Sequence, residues 1–185
     1  MARLHPILIH VALFLSALAT AFSSAEAEDL QFTEYEVKAG FIYNIPKFVE
    51  WPEGSWPASR SVMPLCVIGN DPFGKAIDGI NGKTVKGKRL EIRRVSSIHE
   101  LKDCQLAFIS SSEKDRLPRI IEALKGSNTL TIGDTEGYIS QGVIINFYLE
   151  GKKVRFEIDI ERAKQMKLLV SSQLLKLARI AGERK

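Results

Sequence analysis

The chain has 185 residues, of which 45% are hydrophobic and 26% charged, and it carries a net charge of +4. That is enough length and apolar content for one domain with a proper core. The charge is too slight to argue for nucleic acid and reads mostly as solvation.

Residues 1–27 read as a secretory leader. Arg3 supplies positive charge, residues 11–18 form an apolar run, and Ser23-Ser24-Ala25 or Ala25-Glu26-Ala27 offers a small-residue cleavage site near 25–27. A permanent anchor is the alternative, but the run is interrupted by His10 and falls short of the ~20 residues a bilayer requires. No cysteine follows closely enough to mark a lipoprotein. We therefore expect a mature domain over 28–185, exported through the Sec pathway to a bacterial periplasm.

Residues 32–52 read as one amphipathic helix. Thr33 and Glu36 have capping-box spacing, and Phe32 with Val37 forms a hydrophobic staple. Val37, Phe41, Ile45 and Phe48 recur at helical spacing, and Tyr35, Ile42 and Val49 widen the stripe to the face to be buried. Pro46 predicts a kink, because it removes a backbone donor and crowds the preceding turn. Trp51-Pro52 ends the helix, and Trp51 is either a core plug or part of a binding surface.

Beyond a loop containing Trp56, strands and helices alternate. We expect a strand over 65–69, a helix over 73–80 capped by Asp71, and a basic segment over 83–95. A short helix ending at Leu101, a strand over 106–109, a helix over 113–125 stopped by Gly126 and a strand over 129–132 follow. Runs apolar on both faces argue for a sheet covered on both sides. Val143 to Leu149 and Val154 to Ile158 then alternate as a hairpin. A turn at Glu150-Gly151 would set Asn146 opposite Arg155 and Ile144 opposite Glu157. Asp159 and Ser171 cap two closing helices, the second extending to Gly182. The fold class is thus α/β: a mainly parallel sheet flanked by helices, with a C-terminal antiparallel hairpin and closing helices.

Candidate chemistry is sparse. Gly69 to Ala76 nearly spells a phosphate-binding loop, but Ala76 replaces the metal-holding hydroxyl, Pro72 lacks a donor and Asp71 repels phosphate. Ser111 and Lys114 have the Ser-x-x-Lys spacing of some acyl-transfer enzymes without the companion motifs. His99 is the single histidine outside the leader and makes no metal cluster or triad. We expect no enzyme, no cofactor and no metal. Lys83, Lys86, Lys88, Arg89, Arg93 and Arg94 suit a charge-guarded edge strand, or an anionic headgroup or acidic partner. Asn146, Arg155 and Glu157 form either a structural ion-pair set or, with Trp51, an interface or pocket.

Cys66 and Cys104 read first as a disulfide, with two buried free thiols as the alternative. Each opens an apolar run, so adjacent parallel strands would set them side by side at one end of the sheet.

Taken in order, several blocks resemble the YfiR family of periplasmic proteins. They are Val37-Lys-Ala-Gly-Phe-Ile-Tyr43 with Lys47-Phe-Val-Glu-Trp-Pro52, Cys66-Val-Ile-Gly-Asn-Asp-Pro-Phe-Gly74, Gly82-Lys-Thr-Val-Lys-Gly87, Cys104-Gln-Leu-Ala-Phe-Ile-Ser110, Val154-Arg-Phe-Glu-Ile158 and Ser171-Ser-Gln-Leu-Leu-Lys-Leu-Ala178. The resemblance implies a non-enzymatic regulator that binds the periplasmic domain of an inner-membrane diguanylate cyclase of the YfiN type and represses it, lowering cyclic-di-GMP signalling and biofilm formation. It also implies relief by a YfiB-like lipoprotein and a homodimer. A sensor kinase is another partner such a domain would suit. Pro46, and a cysteine count that matches one bridge of the best-known member and not its second, are departures. The alternative function is a periplasmic small-ligand-binding protein whose pocket lies at the carboxyl ends of the strands, near Gly69, Ser110 and Gly133.

Overall fold

Residues 33–55 and 59–182 are described by a computed structural model. The expected leader, Phe32 of the staple and Trp56 lie outside them. The first described element, α1 (Glu34–Asn44), begins with the expected box: Thr33 accepts from the Glu36 amide, and the Glu36 carboxylate accepts from the Thr33 amide. The expectation of one helix to Pro52 is corrected. At Pro46 the chain tightens into a 3-10 turn, Ile45–Phe48, and then extends as a short strand, β1 (Val49–Glu50). A proline near the start of a tight turn loses no bond that the turn needs, whereas in a continuing helix it would.

Of the expected apolar face, Ile42, Ile45 and Val49 are buried, and the centre of the face is shifted toward Lys38 and Ala39. The innermost residues are Lys38, Ala39, Ile42 and Ile45, while Val37, Phe41 and Phe48 are only partly covered. A lysine on the inner face hides this orientation from an apolar count.

Besides 3-10 turns at Ile98–Asp103, Ser111–Arg116 and Ile139–Gln141, the remaining elements are β2 (Val62–Ile68), α2 (Lys75–Asp78), β3 (Thr84–Val85), β4 (Lys88–Val95), β5 (Leu106–Ile109), α3 (Leu117–Ala123), β6 (Leu130–Gly133), β7 (Ile145–Glu150), β8 (Lys153–Ile158), α4 (Ile160–Gln165), β9 (Leu169–Val170), α5 (Ser172–Leu175) and β10 (Arg179–Ile180). Eight strands form the main sheet in the order β10-β8-β7-β6-β5-β2-β4-β3. The pairs β10/β8, β7/β6, β6/β5, β5/β2 and β2/β4 are parallel, and β8/β7 and β4/β3 are antiparallel. The architecture is therefore the expected α/β sheet with its C-terminal hairpin. The basic segment folds as a hairpin whose two-residue outer strand, β3, is the sheet edge. A short charged edge resists pairing with another chain.

Strands β2 and β5 are buried on both faces, which explains their continuous apolar runs. Met63, Leu65, Val67, Leu106 and Phe108 join the layer under α1, which also holds Ile42, Ile45, Phe147 and Phe156. Cys66, Ile68, Ala107 and Ile109 face the opposite layer with Leu117, Ile120 and Tyr138. Cys66 and Cys104 are joined in that second layer by a disulfide with Cα atoms 5.9 Å apart, and both residues are fully buried. The adjacent parallel strands and the bridge are as expected, but the two cysteines do not both open their strands: Cys66 lies inside β2 opposite Ala107, and Cys104 precedes β5. The bridge joins a strand to the loop that feeds its neighbour.

Three local expectations are also corrected. The hairpin turn is Gly151-Lys152, which pairs Asn146 with Glu157 and Tyr148 with Arg155. Gly151 has φ +60 and supplies the first central position that a II′ turn reserves for glycine. Asp71 does not cap α2, which starts at Lys75; its carboxylate accepts from the Phe73 amide and pairs with Arg94. Ser171 caps α5 as expected, but that helix stops at Leu175. Arg179 and Ile180 instead pair with Glu157 and Ile158, because the free edge of β8 offers a parallel ladder.

Candidate functional site

The carboxyl end of β6 is where the fold concentrates buried charge. Gly133 closes the strand, and a Cβ there would lie 2.6 Å from Cδ2 of Tyr138 and 3.1 Å from Oδ1 of Asn146. Its bare backbone lets both side chains approach. Asn146, 2% exposed, accepts from the Thr135 amide at 3.2 Å and so holds the loop that carries Asp134. Lys38 reaches across from α1 and donates to the Asp134 carboxylate at 2.7 Å, with both side chains at least 95% covered. Glu34, one turn earlier on α1, is a second partner for the same ammonium. Tyr35 donates its hydroxyl to Asp134 at 3.1 Å.

Burial works against the Lys38 charge, yet hydrogen bonds to Asp134 and Glu34 more than offset it and hold the ammonium above its ordinary pKa. Burial, then the Asp134 charge, push the Tyr35 phenol up. The group ties α1 to the end of the sheet.

Beside it, Glu157 on β8 grips Arg179 on β10 at 2.6 Å, and the Arg179 guanidinium lies 4.1 Å from the Tyr148 ring centre. Arg155 is further out, 3.3 Å from Glu150 and largely exposed. The polar recess around Lys38, about 450 Å³, includes Asn146, Glu157, Tyr148 and Arg179. A second recess of about 560 Å³ shares Tyr148 and Arg179, and adds Arg155 and Leu177. Leu177, 67% exposed, also borders an apolar groove of about 250 Å³ formed by Val37, Phe41, Phe48, Phe156 and Leu174. The two polar recesses share Tyr148 and Arg179, and Leu177 borders both the second of them and the apolar groove.

Of the residues singled out from sequence, Asn146 and Glu157 line the Lys38 recess, and Arg155 lines the one that shares Tyr148 and Arg179 with it. Trp51 lines neither. It lies toward the amino end of the sheet, partly buried against the main core, with its indole N–H donated to the Asn128 carbonyl at 3.0 Å. Lys38, Asp134, Arg179 and Leu177 were missed. The Glu34/Lys38 spacing was visible in the sequence, but Lys38's deeper partner is 96 positions away.

A profile of the family described as YfiR/HmsC-like matches residues 35–179. The chain belongs to the YfiR/HmsC-like family. The match begins inside α1 and ends at Arg179, so it takes in every side chain of the Lys38 and Arg179 clusters except Glu34. No curated protein matches the chain. Several solved structures share the fold, two of which illustrate it. One is a conserved domain protein from Vibrio cholerae O1 biovar El Tor, 13% identical, with a TM-score of 0.52 over 81% of this chain and 60% of that one. The other is an ABC domain in complex with L-Trp from Streptococcus pneumoniae, 8% identical, with a TM-score of 0.51 over 79% of this chain and 61% of that one. The YfiR/HmsC-like chain therefore spans about three fifths of the length of each.

Membership in this family supports a periplasmic regulator of cyclic-di-GMP signalling in general. The buried disulfide is consistent with an oxidising compartment. Among the described residues no helix is long and apolar enough to cross a membrane.

Proposed function

We propose that this YfiR/HmsC-like protein binds the periplasmic domain of an inner-membrane diguanylate cyclase and represses it, lowering cyclic-di-GMP. The family match over 35–179 carries the reading. It is supported by the exposed Leu177, which borders both the apolar groove and the recess lined by Arg179, the partner of Glu157. An apolar centre with a charged rim is the composition of a protein interface. Asn146, Arg155 and Glu157 belong to that surface in this reading, with Asn146 acting from beneath as a positioning residue.

The leader is removed near 25–27, leaving 28–185 as the working domain. A YfiB-like lipoprotein competes for the regulator and relieves repression, and the regulator itself is a homodimer. Each binding event shifts the cyclase only by its difference in affinity for the repressed and active states. A sensor kinase is the partner this surface would otherwise serve. The protein performs no catalysis and requires no cofactor.

The test is capture from solubilised membranes with the secreted protein as bait, alongside deletion of its gene. A cyclase should be recovered, and cyclic-di-GMP should rise on deletion. Recovery of soluble proteins alone, or an unchanged nucleotide level, would refute the repressor reading.

A further inference from the structure

Positive charge gathers where the β3–β4 hairpin meets the end of α1. Tyr43, near the end of that helix, donates its hydroxyl to the Thr84 carbonyl at 3.3 Å. Two ammonium groups converge on its ring: Lys47 lies 3.8 Å from the ring centre and Lys83 lies 5.5 Å from it. Lys86 follows at the hairpin turn. Lys86 and Gly87 have φ +49 and +76, the signs of a I′ turn, whose central positions ordinarily go to asparagine and glycine. The Lys86 ammonium donates to the Val49 carbonyl at 2.7 Å, which turns it toward β1 and the Lys47 turn. Among the described residues, Lys47, Lys83, Lys86, Lys88 and Arg89 have no carboxylate within ion-pairing distance, whereas Arg94, further along the same strand, holds both Asp71 and Asp78.

The same face carries a protruding leucine. Leu169 of β9 is paired with Glu50 of β1, borders the same recess as Lys47 and Lys86, and is 63% exposed. Glu50 is the one carboxylate bordering that recess. A protein interface has an apolar centre and is depleted in lysine. This face has the opposite composition, lysines around a single exposed leucine. That combination suits a charged bilayer surface: ammonium heads meet headgroup phosphates, while lysine stems and the leucine enter the boundary with the acyl chains.

We propose that this face docks on an anionic phospholipid bilayer, with Lys47, Lys83 and Lys86 over the headgroup phosphates and Leu169 inserted between them. The contact is peripheral and reversible. Each lysine contributes about a fivefold factor in affinity, and salt screens the attraction. Membrane docking goes beyond the cyclase reading and does not rest on it.

The experiment is co-sedimentation of the secreted protein with vesicles of phosphatidylcholine containing about one third phosphatidylglycerol, and with phosphatidylcholine alone. Binding to the mixed vesicles should be at least about tenfold tighter at about 0.05 M salt, and should be lost by about 0.5 M. Lys47→Gln combined with Lys83→Gln removes two cations that rest on a tyrosine ring and not on the backbone, so the fold is kept. Binding should weaken about 25-fold. Leu169→Ser leaves the charge unchanged and should weaken binding about threefold or more. Lys152→Gln with Lys153→Gln removes the same net charge from the turn of the β7–β8 hairpin, toward the other side of the strand order, and should leave affinity within about twofold. Equal binding to neutral vesicles, no sedimentation at low salt, equal losses in the two double variants, or unchanged binding in Leu169→Ser would overturn the proposal. Binding to polyglutamate through Lys47 and Lys83 without binding to vesicles would also overturn it, assigning the face to an acidic protein. Cyclase capture enters none of these outcomes.

Discussion

Replacing Lys38 by methionine should cost far more than the Lys38–Asp134 pair contributes. At 2.7 Å and an effective dielectric of about 20, the gross attraction between the two charges is about 6 kcal/mol. Most of it is cancelled, since bringing each ion out of water costs several kcal/mol. The substitution leaves the Asp134 carboxylate, 5% exposed, with Tyr35 as its remaining side-chain donor. Stranding a buried charge in this way costs about 3–5 kcal/mol. The double change Lys38→Met with Asp134→Leu removes both ions and should recover most of the loss. Urea unfolding followed by far-UV circular dichroism would measure all four corners of the cycle. A Lys38→Met loss below about 1 kcal/mol, or a double variant no more stable than Lys38→Met alone, would refute the view that this pair is a buried, mutually dependent tie.

The same cluster sets an alkaline limit. Lys38 and Tyr35 both have folded pKa values above their ordinary 10.5 and 10.0, so their stabilisation is complete below those values and is lost as pH rises through the folded ones. Urea midpoints should therefore fall above about pH 10, less steeply in Lys38→Met, and an identical slope in the variant would count against this origin. Converting both Cys66 and Cys104 to alanine opens a loop with a sequence separation of 38 and should lower stability by about 4 kcal/mol in the chain-entropy model. A midpoint matching that of the oxidised protein would contradict it. Leu177→Asp should leave Tm within about 1 °C, because the side chain is 67% exposed, while reducing cyclase capture at least tenfold. Undiminished capture would remove Leu177 from the interface.

What was legible in the sequence was local or periodic. Thr33 and Glu36 announced the start of α1 because both bonds of a capping box lie within four residues, and the two-faced runs of β2 and β5 announced a covered parallel sheet. Long-range effects were hidden. Lys38 looked like solvent-facing polarity within an apolar stripe, since nothing near it in the chain shows that Asp134 will meet it. Arg179 and Ile180 looked like the tail of a helix, because the free edge of β8 that recruits them exists only once the hairpin is formed. The hairpin register turned on which residue of Glu150-Gly151-Lys152 takes the positive φ, and placing Gly151 second instead of first shifted every cross-strand pair. On the candidate surface, Asn146, Arg155 and Glu157 stood out as polar residues alternating with core positions. Leu177 did not, since an exposed leucine is indistinguishable by spacing from a buried one.

One small ladder has a consequence for how the chain assembles. Strands β1 and β9 pair Val49 with Val170 and Glu50 with Leu169, apart from the main sheet, and the Phe48 carbonyl accepts from the Ser171 amide. The first strand of the domain is thus latched by one of its last. Closing so long a loop is entropically slow, and as the chain emerges from its amino terminus, β1 must wait for nearly all the rest. A chain arrested before Leu169 would retain its disulfide and central strands but leave the β1 edge open. Such an intermediate would expose extended backbone to a protease or holdase until residues 169–171 close the latch.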